Sequence, residues 1–384
     1  MKKSKLRHFK LLSTFLLIQM LSVSIGHAQE YKSFTPGEIW KDDQGTHINA
    51  HGGGLLYHDG IYYWYGEHKT AGRGGNRALV GVGCYASTDL YNWENKGIAL
   101  PVDAEGSGSD IEKGSVIERP KVIYNESSGK FVMWFHLELK DKGYEAARTA
   151  LAISDTPTGP FTFVKSLRPN AKTWPIDFPE SWKTKSIQEK DLKAWTDQWK
   201  NEVSEGLFVR RDFEGGQMSR DMTLFVDEDG KAYHIHSAEE NLTLHISELT
   251  DDYLDFTGKW AILEPAGHNE APAIFKKDGR YYMITSGCTG WDPNAARSFV
   301  ADDIMGPWES LGNPAQGKDA DITFDSQSTY ILPVQGKEGA FIFMADRWRP
   351  QNAIDGRYVW LPIMFEDGRP VLHWKDTWSI EIFD

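Results

Sequence analysis

Five times along the chain a polar residue leads an apolar run, a glycine turn ends the run, and a second apolar run rich in aromatic residues follows. The copy at Glu270 shows it most plainly: Ala271-Pro272-Ala273-Ile274-Phe275, a turn at Asp278-Gly279, then Tyr281-Tyr282-Met283-Ile284. Asp-Gly between two apolar runs predicts a β-hairpin, because both turn positions must tolerate positive φ. The other copies open at His51, Glu118, Asp221 and Gln327, with turn glycines at Gly60, Gly129, Gly230 and Gly339.

A second echo follows within several copies. Ser87-Thr88-Asp89-Leu90 precedes Trp93, Ser154-Asp155 precedes Gly159-Pro160-Phe161, and Ala301-Asp302-Asp303 precedes Gly306-Pro307-Trp308. Each unit therefore holds roughly four strands, the content of a propeller blade. Five units predict an all-β, five-bladed β-propeller; a β-sandwich leaves the self-similarity unexplained. The widest interval between turn glycines lies between Gly129 and Gly230. Within it Leu192, Trp195, Trp199 and Val203 share one helical face and Gly206 supplies an end, which predicts a helical insertion at about 165–217 between blades two and three. Such an insertion either packs on the rim or covers the site.

The first strand of each propeller blade lines the central axis, so equivalent positions converge at one mouth of the channel. His51, Glu118, Asp221, Glu270 and Gln327 are thus expected to form a ring. Three crowded carboxylates cannot all ionise cheaply, and at least one pKa should rise. A protonated carboxyl beside an ionised one is what glycoside hydrolysis requires.

Composition narrows the partners. Lys2, Lys3, Lys5, Arg7 and Lys10 precede an apolar stretch from Leu11 to Ile25, and Gly26-His27-Ala28 follows. That order predicts a signal peptide over residues 1–28, cleaved after Ala28, and a secreted, periplasmic protein whose catalytic domain spans 29–384. The net charge of −13 becomes more negative once that basic head is lost, which argues against nucleic acid or an anionic membrane as partner. A monomer is expected. Cys84 and Cys288, the two cysteines, are expected as buried free thiols. The 15 Trp, 15 Tyr and 19 Phe suit both sugar faces and a β-rich core, so they choose between neither.

Several strings together resemble glycoside hydrolase family 43, and within it the exo-β-1,3-galactanase branch. They are Asn49-Ala50-His51-Gly52-Gly53-Gly54, Tyr63-Trp64-Tyr65-Gly66-Glu67, Glu118-Arg119-Pro120-Lys121-Val122, Glu270-Ala271-Pro272 and Asp346-Arg347-Trp348-Arg349-Pro350, with Trp374 and Trp378. The resemblance implies a five-bladed propeller that releases galactose from the non-reducing end of β-1,3-galactan, the arabinogalactan backbone, with inversion. It implies Glu270 as general acid and Asp221 as the residue that tunes and orients it. Most of the wider family has an aspartate base where this chain has Ala50-His51. Glu118 then becomes the candidate proton acceptor, with Gln327 orienting the water. Glu67 is implied as a ligand of galactose hydroxyls. His51, Thr289, Trp291 and Arg347 complete the candidate sugar-binding set, Trp291 as a stacking platform.

Two other readings stand beside this one: an α-L-arabinofuranosidase or β-xylosidase on the same scaffold, and a non-catalytic galactan-binding propeller. No metal or cofactor is expected. His234-x-His236 lacks a third ligand at suitable spacing, Asp227-Glu228-Asp229-Gly230 reads as a hairpin turn, and no Gly-x-Ser-x-Gly accompanies His51-Gly52-Gly53-Gly54.

Overall fold

The computed structural model describes residues 30–263 and 267–384. The expected signal peptide at 1–28 lies outside them. Blade one comprises β1 (His51–His58), β2 (Ile61–His68), β3 (Gly81–Ser87) and β4 (Glu94–Pro101). Blade two comprises β5 (Val116–Asn125), β6 (Lys130–Glu138), β7 (Arg148–Ser154) and β8 (Thr162–Leu167). Blade three is β9 (Met222–Val226), β10 (Ala232–Ala238), β11 (Thr243–Leu249) and β12 (Phe256–Leu263). Blade four is β13 (Glu270–Lys277), β14 (Arg280–Ser286), β15 (Arg297–Ala301) and β16 (Glu309–Gly312). Blade five takes β17 (Ala315–Gln316) as its outermost strand beside β21 (Arg369–His373), with β20 (Arg357–Glu366), β19 (Phe341–Arg347) and β18 (Gln327–Pro333) running inward.

Each blade is built on a four-stranded antiparallel meander whose first hairpin is the one read from the sequence, and in blade five β17 adds in parallel to β21. Asp59 and Gly60 have φ of 49° and 83°, and Asp278 and Gly279 have 51° and 76°, as the Asp-Gly turns demand. The innermost strands β1, β5, β9, β13 and β18 touch in a closed circuit. The fold is a five-bladed propeller. Alternate faces of neighbouring blades meet in apolar seams, so the strands read as nearly continuous hydrophobic runs.

Blade five is built from one contiguous C-terminal stretch, so packing closes the ring where no strand is exchanged. Phe34 pairs with Trp378 through two backbone hydrogen bonds, at 2.8 and 3.2 Å. Its ring sits 4.5 Å from that of Trp378 and 5.7 Å from Trp360, while Trp64 of blade one lies 4.8 Å from Trp360. Aromatic side chains thus join the first and last blades, which accounts for part of their abundance.

The insertion sits where expected but is less regular. It holds α1 (Glu180–Lys183), α2 (Asp197–Ser204) and α3 (Leu207–Arg211). The periodicity extended one helix back to Leu192. Instead Trp195 takes φ of 68° and the hydroxyl of Thr196 accepts from the backbone N–H of Trp199, so the helix starts after Thr196. Gly206, left-handed, ends α2 and opens α3. Among the described residues no helix is long and apolar enough to cross a membrane.

Because Phe34 is 2% exposed at the closing seam, Phe34→Ala is expected to cost about 3–5 kcal/mol. Ile39, five residues on and exposed, should cost less than about 0.5 kcal/mol as Ala. Urea unfolding followed by tryptophan fluorescence checks both; equal midpoints would show that the seam does not close the ring.

Candidate active site

In three of the five copies the opening polar residue is aimed by a local backbone device. In β1, β5 and β13 the pairing register slips immediately after His51, Glu118 and Glu270. The next residue, Gly52, Arg119 or Ala271, takes a left-handed φ of 61°, 56° or 53°. A bulge re-aims a side chain at the end of a strand, and non-glycine residues hold this conformation at a cost of about 1–3 kcal/mol. In blade five the slip comes after Ser328, and β9 has none.

Glu118, Asp221, Glu270 and Gln327 come together in one pocket of about 270 Å³, walled also by Glu67, Lys69, Tyr144, Asn241, Cys288, Trp291 and Trp348. The ring expected from the five copies therefore forms from four of them. His51 is the exception. It is fully buried and stacks on Tyr358 with ring centroids 5.4 Å apart, away from the pocket. Its place is taken from the next strand by Glu67, the residue opposite His51 in the β1–β2 pairing. Gly52 makes this possible, since a Cβ there would lie 2.2 Å from Oε1 of Glu67.

Two further sequence expectations need correction. Thr289 does not line the pocket: its hydroxyl donates to the carbonyl of Asp292 and accepts from Asn294, shaping the loop that carries Trp291. Arg347 is spent on structure, with its guanidinium on the carbonyls of Phe324 and Asp325 and on the Asp325 carboxylate. Trp348, one residue later and just past the end of β19, is the residue that lines the pocket. Cys288 is half-buried in a loop beside Glu270, and Cys84 lies buried in β3; both are free thiols. Nothing in the sequence placed Lys69, Tyr144, Asn241, Cys288 or Trp348 in the pocket by its period alone. Lys69 lies one residue past the end of β2 and two residues after Glu67.

Arg119 knits the pocket together. Its guanidinium donates to Asp221 at 2.7 Å, to the side-chain carbonyl of Gln327 at 2.6 Å and to the backbone carbonyl of Ser328 at 3.0 Å. Its backbone N–H donates to Glu67 at 3.1 Å, and its plane lies 5.2 Å from the ring centre of Trp348. Gln327 is fixed from both ends: Trp348 Nε1 donates to its oxygen at 2.9 Å, and its nitrogen donates to Ser286 at 2.9 Å. Glu67 is held by Lys69 at 2.6 Å. Beneath, the buried Lys121 donates to the carbonyls of Gly52 and Arg119.

Two glutamates in this pocket have opposite surroundings. Burial would raise Glu118, but His136 at 3.0 Å and the Tyr144 hydroxyl at 2.7 Å outweigh it and hold the carboxyl at about 2. His136 in turn lies between Glu118 and Glu138, 3.0 Å from each, and against the effect of burial these carboxylates raise it to about 9. Glu270 is raised to about 7, first by burial and then by the charge of Asp221. Asn241 donates to one of its oxygens at 2.7 Å. Glu118 and Glu270 share no hydrogen bond among the described residues. Glu118, His136 and Asp221 fall within 4.8 Å of one another, as metal ligands would. Yet both nitrogens of His136 face carboxylates and Asp221 faces Arg119, so ion pairing organises the cluster. His234 and His236 are buried in β10 with Nδ1 atoms 3.1 Å apart, outside the pocket.

A carboxyl that keeps its proton to neutral pH, an ionised carboxylate across the same pocket and two indole rings in its wall, one of them exposed, define a propeller-type sugar hydrolase site. Comparison with known proteins agrees. The profile of Glycosyl hydrolases family 43 matches residues 184–370. A solved family 43 β-1,3-galactosidase with galactodeoxynojirimycin is 55% identical, with 90% of this chain and 100% of that one covered and a TM-score of 0.88. A variant of the exo-β-1,3-galactanase of Phanerochaete chrysosporium with β-1,3-galactotriose is 30% identical over 91% of this chain and 68% of that one, with a TM-score of 0.73. Among curated proteins, a β-D-galactofuranosidase of Aspergillus niger is 30% identical over 129 residues, and the chain spans 37% of its length. The chain belongs to glycoside hydrolase family 43.

The Glu118–His136 pair makes stability pH-dependent on both sides. His136, raised above its unfolded value of 6.5, contributes stability that is complete below that value and lost as pH rises through about 9. Glu118, lowered from 4.5, contributes stability present above 4.5 and lost as pH falls through about 2. Urea midpoints across pH should therefore decline between about 6.5 and 9 in the wild type and less steeply in His136→Gln. Parallel alkaline limbs would show that the imidazole is not charged in the folded protein.

Proposed function

We propose that this protein is an exo-acting, inverting β-1,3-galactosidase that removes galactose from the non-reducing end of β-1,3-galactan. The observation that carries the mechanism is the pairing of a Glu270 carboxyl raised to about 7 with a Glu118 carboxyl held at about 2 in one pocket. Glu270 protonates the glycosidic oxygen as the bond to the anomeric carbon breaks. Asn241 occupies one of its oxygens, which leaves the other to carry the proton. Asp221, fixed by Arg119, supplies the charge that keeps that proton in place.

Water attacks the anomeric carbon from the opposite face. Gln327 spends one amide N–H on Ser286 and keeps a second for the water oxygen. Glu118 uses two of its roughly four acceptor positions on His136 and Tyr144 and receives the water's proton at another. Its low basicity restricts that transfer to the transition state, where the attacking water has become acidic. Trp291 and Trp348, with ring centres 5.8 Å apart and nearly perpendicular, offer apolar faces to the sugar. The substrate itself rests on the likeness to the solved β-1,3-galactosidase, which spans that protein's whole length. Export to the periplasm rests on the order of basic and apolar residues through Ala28.

Proton NMR of β-1,3-galactotriose digests should show α-galactose forming first, together with the shortened oligosaccharide, and no release by Glu270→Gln. Initial β-galactose would overturn inversion. Retained binding without hydrolysis by the wild type would point to a galactan-binding propeller, and preferential release of arabinose or xylose from mixed glycans to another substrate.

The rate of the same reaction should fall as pH rises through about 7, where Glu270 loses its proton. Asp221→Asn removes a charge that raises Glu270, so the alkaline limb should move to lower pH as well as lower rate. A limb that stays in place would separate Asp221 from the tuning of the acid.

A further inference from the structure

A second pocket, of about 310 Å³, opens beside the first and shares Tyr144 and Trp291 with it as walls. The two aromatic side chains are 45% and 40% exposed, so each presents surface to both spaces. A hydrogen bond also joins the pockets: Lys69, which holds Glu67 in the first, donates to Asn76 in the second at 3.4 Å. The polar lining of the second pocket is Arg73, Arg77, Asn76 and Asp141.

The two arginines are unusual in this chain. Among the described residues, every arginine except Arg73, Arg77 and Arg369 directs its guanidinium at a carboxylate or a carbonyl. Two of these three line this one pocket. In a protein of net charge −13, guanidinium groups left without an anion beside a substrate pocket mark a place for an anionic ligand. Asp141, the one acid in the lining, forms no ion pair with either within 4 Å.

The segment that carries them is anchored rather than loose. The 3₁₀ turn Arg73–Asn76 is tied to the loop after β19 by Asn352, which accepts from the N–H of Gly72 at 2.8 Å, and by Asn76, which donates to the carbonyl of Pro350 at 3.3 Å. On its other side Ala78 bonds both Gly114 and Ser115. The backbone therefore fixes where the two arginines leave the chain beside the catalytic pocket.

We propose that this pocket binds an acidic sugar branch of the galactan, with Arg73 and Arg77 receiving a uronic acid carboxylate while Tyr144 and Trp291 flank the branch. The inference rests on the galactanase reading for its substrate, but not for the binding of the uronate. Two measurements separate the two.

The first compares wild type with the double variant Arg73→Ala/Arg77→Ala, using β-1,3-galactotriose unbranched, with a β-1,6-galactosyl branch, and with a branch ending in β-1,6-linked glucuronic acid. Both side chains are exposed and lie outside the catalytic pocket, so kcat/KM on the unbranched substrate should stay within about twofold. On the acidic substrate the variant should lose about tenfold or more, with little change on the neutral branch. Equal loss on all three, or none on the acidic one, overturns the proposal.

The second uses saturation-transfer NMR with methyl β-D-glucuronide and its neutral counterpart methyl β-D-glucoside. Binding of the glucuronide to wild type and its loss in the double variant support the pocket, even where the wild type fails to cleave galactan and the functional reading falls. Equal binding of both sugars, or displacement of the glucuronide by equimolar inorganic phosphate, would reduce the pocket to a nonspecific one and overturn the uronate assignment.

Discussion

Everything in the catalytic pocket leans on one buried guanidinium. Arg119 is 4% exposed, and a charge so placed must be paired and hydrogen-bonded to be tolerated. It meets that requirement with groups from other blades: Asp221 from blade three, and Gln327 and Ser328 from blade five. Its own N–H reaches Glu67 of blade one. One side chain thus fixes relative positions across the ring. Its left-handed backbone, unusual for an arginine, is the same feature that turns Glu118 into the pocket. The propeller and the site depend on each other, since the blades supply the partners and the arginine relates the blades.

Around that fixed point the protein gives two copies of one residue type opposite chemistry. Glu118 faces an imidazole held cationic by a second carboxylate, and it loses its proton readily. Glu270 has burial and a neighbouring negative charge, and it keeps its proton. Placement of neighbours within a few ångströms decides acid from base. The insertion carried on blade two is tied to this rim from outside: Arg211 bonds Glu240, which also bonds Arg220, and Arg220 donates to the carbonyl of Tyr144. Trp195 stacks on His268, two residues before Glu270, at 5.2 Å. These contacts make the insertion part of the rim that supports the acid.

Much of this was legible in the chain because it is periodic. A hairpin repeated five times predicts blades, and equivalent positions in blades converge whatever the details, which brought Glu118, Asp221, Glu270 and Gln327 to one place. Where the expectation went wrong, a local backbone choice intervened. His51 has the right register but packs against Tyr358, and the glycine run after it opens room for Glu67. Arg347 ends β19 and Trp348 follows it, and that single step exchanges a structural role for a place in the pocket. Asn241 and Cys288 come from loops between strands, and Tyr144 from a connection between β6 and β7; such segments carry no period from which convergence can be read. The helix at Trp199 started late because a threonine cap and a left-handed Trp195 overruled the apolar spacing.

Acid catalysis in this pocket depends on the proton that Glu270 retains. Its most direct test is a carbon-13 NMR titration of glutamate-labelled protein, with Glu270→Gln used to assign the resonance. A side-chain carboxyl inflection at about 7, absent from the variant, is the expected result. An inflection in the ordinary carboxylate range near 4.5 would contradict the assignment of Glu270 as an acid preset by burial and by Asp221.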